Sequence, residues 1–350
     1  MKKLAQLAAL ALLGAAVARP AAAQKIWDPA QHLPDIAAET AADYRMRAQF
    51  PDWCVPVAPG QPDPLKAKRQ PQPVALSAED GSSLAVWASD IRYEAGDTAV
   101  FYARLDAVET ADEDAPAVPP QRLERRGWQV TAEVTHPDRG TMLRFKLHDD
   151  GVGVDEKRGD GIYSGGFRLP RGAAPALGTA ENYMVLVTAR RGRGRTIKGL
   201  GGFLFSNPAA RLTGRYRDYL EDGDLVIAAE ARVLKAGRFH LSGSVHDARG
   251  RPLAIAQTAE ELAPGTHWIR LRFYGAALRA SGVSGPYWVD SLSLTTTGSI
   301  PNALGPMVEN VHVTRPYLVT DFHNRPFRDP AMLEAAERLE RLSAARSRGN

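Results

Sequence analysis

The chain has 350 residues, 44% hydrophobic and 24% charged, with 44 basic and 40 acidic residues for a net charge of +4. That length is enough for about two domains with sizeable cores. The single cysteine, Cys54, excludes an internal disulfide framework, and the near balance of charge argues against a nucleic-acid binder.

Residues 1–23 read as a secretory signal peptide. Lys2 and Lys3 precede the uncharged apolar run Leu4–Val17, and Ala21-Ala22-Ala23 offers small residues for cleavage near Ala23. The run is short for a bilayer span, and no later segment is long enough. These features place the protein in the periplasm or outside the cell, with no transmembrane segment after cleavage. Removing Lys2, Lys3 and Arg19 brings the net charge close to neutral, which weakens the nucleic-acid reading further.

Residues 24–72 form a Pro/Ala-rich lead segment. Residues 34–50 can hold one helix, after which Pro51, Pro56, Pro59, Pro62 and Pro64 argue against regular structure. Trp27 and Trp53 are the residues that can pin this segment to a core. Cys54 reads as a buried small hydrophobe, with a reactive or intermolecular thiol as the other reading.

From residue 73 the apolar period becomes two. "SLAVWA", "DTAVFYARLDA", "WQVTAEVT", "TMLRFKLH", "IYSGGFRL", "NYMVLVTA" and "IKGLGGFLF" are short, β-branched or aromatic, and bounded by Gly, Pro or Asp. Seven such strands over residues 73–208 predict an immunoglobulin-like β-sandwich. The acidic, Pro-rich insert at 109–121 reads as a solvated loop. A second β-sandwich is predicted over 209–298, from "LVIAAEARVL", "GRFHLSGSVHD", "THWIRLRFYG" and "PYWVDSLSLTT". Residues 299–350 form a tail. "VENVHVTRPYLV" can add one strand, and Asp329-Pro330 opens a C-terminal helix with Leu333, Ala336, Leu339 and Leu342 on one face. The fold class is therefore all-β: two tandem immunoglobulin-like sandwiches, a Pro-rich lead and a C-terminal helix.

The stretch "HDDGVGVDEKRGDGIYSGG" (148–166) gathers Asp149, Asp150, Asp155 and Asp160 within twelve residues. Calcium takes six to eight oxygens from carboxylates, carbonyls and water. Gly151, Gly153, Gly159 and Gly161 supply the positive-φ positions that tight wrapping needs. The spacing is neither an EF-hand nor a zinc site. The other reading is that Asp and Gly simply make turns, with Lys157 and Arg158 offsetting the charge.

The segment "LHDDGVGVDEKRGDGIYSGGF", with "ENYMVLVTARRG" after it, resembles the Asp-Asp-Gly and Gly-Asp-Gly-x-Tyr-Ser signature of secreted bacterial Ig-like proteins of the choice-of-anchor X type. "AGRFHLSGSVHDARGRPLAIAQ" and "GPYWVDSLSL" are similar to the sandwich that follows it there. The resemblance covers about residues 73–296. It implies an exported or surface protein of largely unassigned function, and by analogy a structural calcium ion held by Asp149, Asp150, Asp155 and Asp160.

No catalytic motif emerges: G-x-S-x-G and H-E-x-x-H are both missing. His246 and Asp247 are adjacent on a strand and face opposite ways, so they read as a turn-side polar pair rather than part of a triad with Ser242 or Ser244. His323 can meet Asp321 across one strand face. Arg190, Arg191, Arg193, Arg195 and Lys198 form a basic hairpin, either a solvated turn or a grip for an anionic partner. Trp87, Trp268, Tyr287 and Trp288 lie on strands, as core residues or as a sugar platform. The functional reading is an exported, non-enzymatic binding or scaffold protein of the bacterial envelope. Its partner is an unidentified protein or glycan, with no nucleic acid. A carbohydrate-binding module and a hydrolase sited between the sandwiches and the tail are the alternatives.

Overall fold

The computed structural model describes residues 29–69, 74–77, 82–107, 127–192 and 195–347. The leader at 1–23, Trp27 and the acidic insert at 109–121 lie outside the described residues. No described helix is long and apolar enough to cross a membrane.

Two compact units form. The smaller contains helix α1 (Pro29–Arg47) and the C-terminal helix α4 (Pro330–Ser347). Within it, the Arg45 guanidinium donates two parallel hydrogen bonds, 2.6 and 2.8 Å long, to the Glu340 carboxylate. Helix α4 opens at Pro330, where the Asp-Pro pair predicted it.

The larger unit, Arg47–Asp329, is all-β apart from two short α-helices, α2 (Pro64–Arg69) and α3 (Gly275–Ala280). Its first strand, β1 (Cys54–Pro56), comes from the lead segment. The first sandwich follows as β2 (Val74–Ser77), β3 (Ser82–Ala88), β4 (Arg92–Tyr93), β5 (Thr98–Ala107), β6 (Trp128–His136), β7 (Gly140–Leu147), β8 (Ile162–Arg168), β9 (Thr179–Arg191) and β10 (Arg195–Asn207). One sheet has the order β2-β3-β5-β8 and the other β4-β10-β9-β6-β7. Alternation decides which faces meet. Leu84, Val86, Phe101 and Ala103 of the first sheet share a core with Val130, Val134, Val185, Val187 and Phe203 of the second. The two sheets approach so closely at β10 that a Cβ on Gly199 would lie 2.5 Å from a Val86 methyl and 2.6 Å from the Leu84 carbonyl oxygen. "GLGG" inside a strand is thus a packing requirement of the sandwich.

The second sandwich contains β11 (Ala210–Glu221), β12 (Asp224–Val233), β13 (Gly237–His246), β14 (Pro252–Leu262), β15 (Gly265–Phe273), β16 (Trp288–Thr297), β17 (Ala303–Val308) and β18 (His312–Val313). Its small sheet is β11-β12-β15. The large sheet is β1-β14-β13-β16-β17, with β18 also on β16. Leu225, Ile227, Ile269 and Leu271 of the small sheet pack on Leu241, Val245, Val289 and Leu292 of the large one.

Two expectations are corrected. The prolines of the lead segment do not keep it irregular. β1 pairs antiparallel with β14, Pro56 opposite Ala254, and Pro56 is tolerated because β1 is the sheet edge. Pro64 begins a short helix, α2 (Pro64–Arg69). The sheet also continues beyond residue 298: β17 pairs with β16, and so does β18, which falls within the one tail strand expected over 308–319. The cause is the same in both cases: an edge strand is recruited by open hydrogen-bonding groups of a sheet, which local propensity does not record.

Cys54 sits at the β1 edge beneath Tyr274, 1% exposed, and its sulfur accepts the Tyr274 amide at 3.2 Å. Burial pushes the thiol up to about 12, so it is an inert core residue. Iodoacetamide at pH 8 is expected to leave the folded protein unlabelled and to alkylate the thiol in denaturant. Equal labelling rates in both states would contradict this placement.

Candidate functional site

Two clusters concentrate the polar chemistry. The first is the Asp-rich loop. It is not a hairpin within one sheet: β7 belongs to one sheet of the first sandwich and β8 to the other, so the loop crosses between them. Its base is closed by a reciprocal pair of backbone hydrogen bonds between His148 and Ser164, at 2.8 and 2.7 Å.

The loop's carboxylates are turned onto its own backbone. Asp149 accepts the amides of Gly159 at 2.6 Å, Asp160 at 3.1 Å and Gly161 at 3.1 Å. Asp155, 5% exposed, accepts the amide of Gly151 at 2.6 Å. Asp150 and Asp160 each accept the amide two residues on, at Val152 and Ile162. Gly151, Gly153, Gly159 and Gly161 all take left-handed φ, as the turn sequence predicted. No three of the four aspartates bring carboxylate oxygens within 4.8 Å of one another. The arrangement holds the negative charges apart by facing them to amide dipoles.

The loop roofs one end of a cross-strand row. Trp87, Tyr102 and Ser164 stand in register across β3, β5 and β8. They occupy the outer face, opposite the core-facing Val86, Phe101 and Ala103. The indole and phenol rings stack with centroids 5.5 Å apart and 23° between planes. With Asp155, Glu156, Lys157, Asp160 and Ile162 they line a recess of about 140 Å³. Burial, and then the Glu156 charge, raise the Tyr102 hydroxyl above its ordinary value, so it stays a neutral donor at physiological pH.

The second cluster was missed from the sequence. Asp63, Ser244, His246, Asp290 and Ser291 are all buried at the large sheet of the second sandwich. Asp63 Oδ2 accepts hydrogen bonds from Ser244 Oγ at 2.7 Å, Ser291 Oγ at 2.6 Å and His246 Nε2 at 3.0 Å. Its other oxygen accepts the Leu65 amide at 2.8 Å, at the start of α2. His246 Nδ1 lies 3.5 Å from Asp290 Oδ2, which also meets Lys66 Nζ at 2.9 Å. A bulge in β16 between its Ser242 and Ser244 pairings aims Asp290 and Ser291 at the cluster, and Ser291 takes φ 33°. Ser244 and His246, two apart on β13, do share a face. His246 is therefore a buried group rather than a turn-side one. The turn is capped by Asp247 alone, which accepts the amides of Arg249 and Arg251.

Among the described residues this is the single set of three His, Cys, Asp or Glu side chains whose ligating atoms lie within 4.8 Å. The Lys66 ammonium offsets the charge of Asp290, one of the cluster's two carboxylates. The hydroxyls of Ser244 and Ser291 are directed at Asp63 with no solvent-exposed face, so the cluster acts as a polar clasp and not as an exposed nucleophile. The signal that could have found it is Asp63-Pro64, the same N-cap and N1 pair that marks α4.

Other predicted groups separate. His323 Nε2 meets Asp224 at 2.7 Å, while Asp321 accepts the Leu318 amide. Tyr287 is a core residue, and Trp268 and Trp288 are half-buried. Of the basic hairpin, Arg190 and Arg191 end β9, and Arg195 and Lys198 lie on the antiparallel β10, while Arg193 lies outside the described residues.

Residues 209–302, which hold β11 to β16 of the second sandwich, match a family model described as "Domain of unknown function (DUF4785) C-terminal domain". This is an uncharacterised family, and the match lends no support to the choice-of-anchor X resemblance. Among solved structures, a DUF4785 family protein from Legionella pneumophila is similar at 17% identity and TM-score 0.39, covering 69% of this chain. The matched region spans 58% of that protein's chain. The soluble domain of PmoD from Methylocystis aligns at 12% identity over 38% of this chain and 96% of its own, TM-score 0.21. The copper-reconstituted P19 protein of Campylobacter jejuni aligns at 14% identity over 39% of this chain and 96% of its own, TM-score 0.25. No curated protein matches the chain.

Two outcomes follow from the clusters. Burial raises the Asp63 carboxyl, but the hydrogen bonds from His246, Ser244, Ser291 and the Leu65 amide outweigh it and hold Asp63 well below the usual carboxylate range. Asp290 is lowered too, with Lys66 and the Asn310 amide outweighing burial. A carboxylate held low in the native state binds fewer protons there. Its contribution is complete above the unfolded value of about 4 and is lost as pH falls below it. Urea unfolding at pH 7 should show Asp63→Ala destabilised by about 3–5 kcal/mol. Between pH 5 and 3 the wild type should lose more stability than Asp63→Asn, and parallel losses would contradict the assignment. In the loop, Asp149→Ala strands three amides and should cost about 1–3 kcal/mol, whereas a wild-type melting midpoint would mean that the loop is held by something else.

Proposed function

We propose that the protein is an exported, non-enzymatic binding protein, and that its first sandwich takes one ring of a neutral or amine-bearing sugar. The observation that carries this reading is the Trp87–Tyr102–Ser164 row roofed by the Asp loop. Its aromatic pair offers an apolar face for ring C–H groups. Asp155, Glu156 and Asp160 offer acceptors for hydroxyls or an ammonium, and their excess over Lys157 disfavours acidic sugars. At about 140 Å³ the recess suits a single ring; drug-sized ligands occupy roughly 300–1,000 Å³. The amide bonds to Asp149 and Asp155 fix the roof before any ligand arrives, which lowers the ordering cost of binding.

Calcium enters this reading at the same place, on the observation that Asp155 and Asp160 line one recess. With Asp149 and Asp150 they form the set expected to hold the ion.

Calorimetry with glucose, glucosamine and glucuronate, each with calcium or with EDTA, tests both parts. Glucose or glucosamine is expected to bind and glucuronate not. Trp87→Ala should weaken binding about tenfold through loss of the stacking surface. Absence of binding for all three sugars, or preference for glucuronate, would sink the sugar reading. Identical heats in calcium and in EDTA would remove the ion.

A further inference from the structure

The small sheet of the second sandwich carries a different surface. Alternate residues of β12, Leu225, Ile227, Ala229 and Ala231, point into the core. The other set, Val226, Ala228, Glu230 and Arg232, faces away from it. Register puts Tyr219 and Arg272 on either side of Val226, and Arg217 and Arg270 on either side of Ala228. Trp268 stands beside Glu230, and Arg211 beside Arg232. Val226 and Ala228 are nevertheless buried, because the long flanking side chains lie across them.

The outward charge is one-sided. The acids near this face are already paired: Glu230 with Arg215, Glu221 with Arg270, and Asp224 with Arg272. The arginine side chains of these pairs remain 69%, 50% and 37% exposed, while Glu230 and Asp224 are 4% and 3% exposed. Around Glu230 and Asp224 solvent therefore meets guanidinium rather than carboxylate, whereas at the β11–β12 turn the carboxylates of Glu221 and Asp222 stay open, 36% and 78% exposed. Two further cations are left over. The Arg217 guanidinium carbon sits 4.2 Å from the Trp268 ring centroid, and Arg232 is exposed with no ion pair or hydrogen bond among the described residues.

We infer that this sheet face binds an acidic polysaccharide. Guanidinium groups present paired donors that match carboxylates. The half-buried indole gives a sugar ring an apolar edge to rest on, and the Arg217–Trp268 stack holds both groups in place beforehand. From Arg232 to Val226, whose neighbour is Arg272, β12 runs roughly 20 Å at about 3.3 Å per residue, which suits a short charged chain better than a single ion. Single-stranded nucleic acid fits less well. It uses successive aromatics with open faces, and Trp268 has one face taken by Arg217. The inference does not rest on the recess in the first sandwich.

The test uses the full chain and a fluorescent polygalacturonate oligomer at 50 and 300 mM salt, with a neutral glucan, oligo-dT of equal charge and anionic phospholipid vesicles as competitors. The wild type should bind the polyuronate, more weakly at high salt, and the neutral glucan should not compete. Arg217→Ala combined with Arg232→Ala should weaken binding at least about tenfold while the protein still melts in one cooperative transition. Trp87→Ala should bind as the wild type does, so failure here is distinguishable from failure of the first-sandwich reading. The inference is overturned if the wild type does not bind at 50 mM salt, if oligo-dT or vesicles displace the polyuronate more effectively than unlabelled oligomer, or if the double variant binds normally. It is equally overturned if Arg190→Ala with Arg191→Ala abolishes binding, because the basic hairpin would then be the site.

Discussion

One buried carboxylate oxygen connects three remote parts of the larger unit. Asp63 Oδ2 receives hydrogen bonds from Ser244 and His246 on β13 and from Ser291 on β16, while Asp63 itself comes from the lead segment. A buried anion is tolerable only when its lone pairs are filled, and here three donors converge on one atom. The Lys66 ammonium, one helical turn beyond Asp63, meets Asp290 and offsets its charge. The lead segment is thereby committed to one docked geometry. An apolar contact such as Trp53 on Tyr274 adds burial but less direction, because a nearby register would bury similar area.

Much of the fold was legible because alternation is a strong signal when both faces of a sandwich differ. In β5, Phe101, Ala103 and Leu105 were separated from Val100, Tyr102 and Arg104 by period alone, and the structure buries the first set in the core. The parts that were not legible share a cause. β1 and β17 are short edge segments whose strand character comes from an open neighbour. The Asp63 clasp joins residues more than 180 positions apart, and no local pattern carries that pairing. His246 looked like a turn residue because Asp247 follows it. Only the partner two residues earlier, Ser244, indicated which way the ring would point.

The Asp loop shows how clustered negative charge can be accommodated in a loop. Glycines in left-handed φ turn successive amides toward a common side. The carboxylate of Asp149 then bridges three of these amides, and that of Asp155 reaches back to Gly151. The sequence pattern for wrapping a cation and the pattern for this amide network are almost the same, since both need small residues between acids. This overlap is why the sequence left the two readings open.

The two sandwiches place opposite chemistry on comparable sheet faces. Each uses a cross-strand aromatic, Trp87 or Trp268, half-buried on the face opposite its core. In the first, an acidic loop folds over the aromatic and makes a small recess. In the second, long cationic side chains from the flanking strands cover the centre strand, leaving a broad flat face. The difference follows from connectivity. β7 and β8 lie in different sheets, so their connection must cross the edge of the sandwich and is long enough to fold onto one face. β11 and β12 are adjacent in one sheet and join through the tight turn at Asp222-Gly223, both in positive φ, which leaves no chain to roof the arginines. A half-open recess selects by shape and a flat charged face by electrostatic field, so the two proposals assign a sugar ring to the first sandwich and a charged polymer to the second.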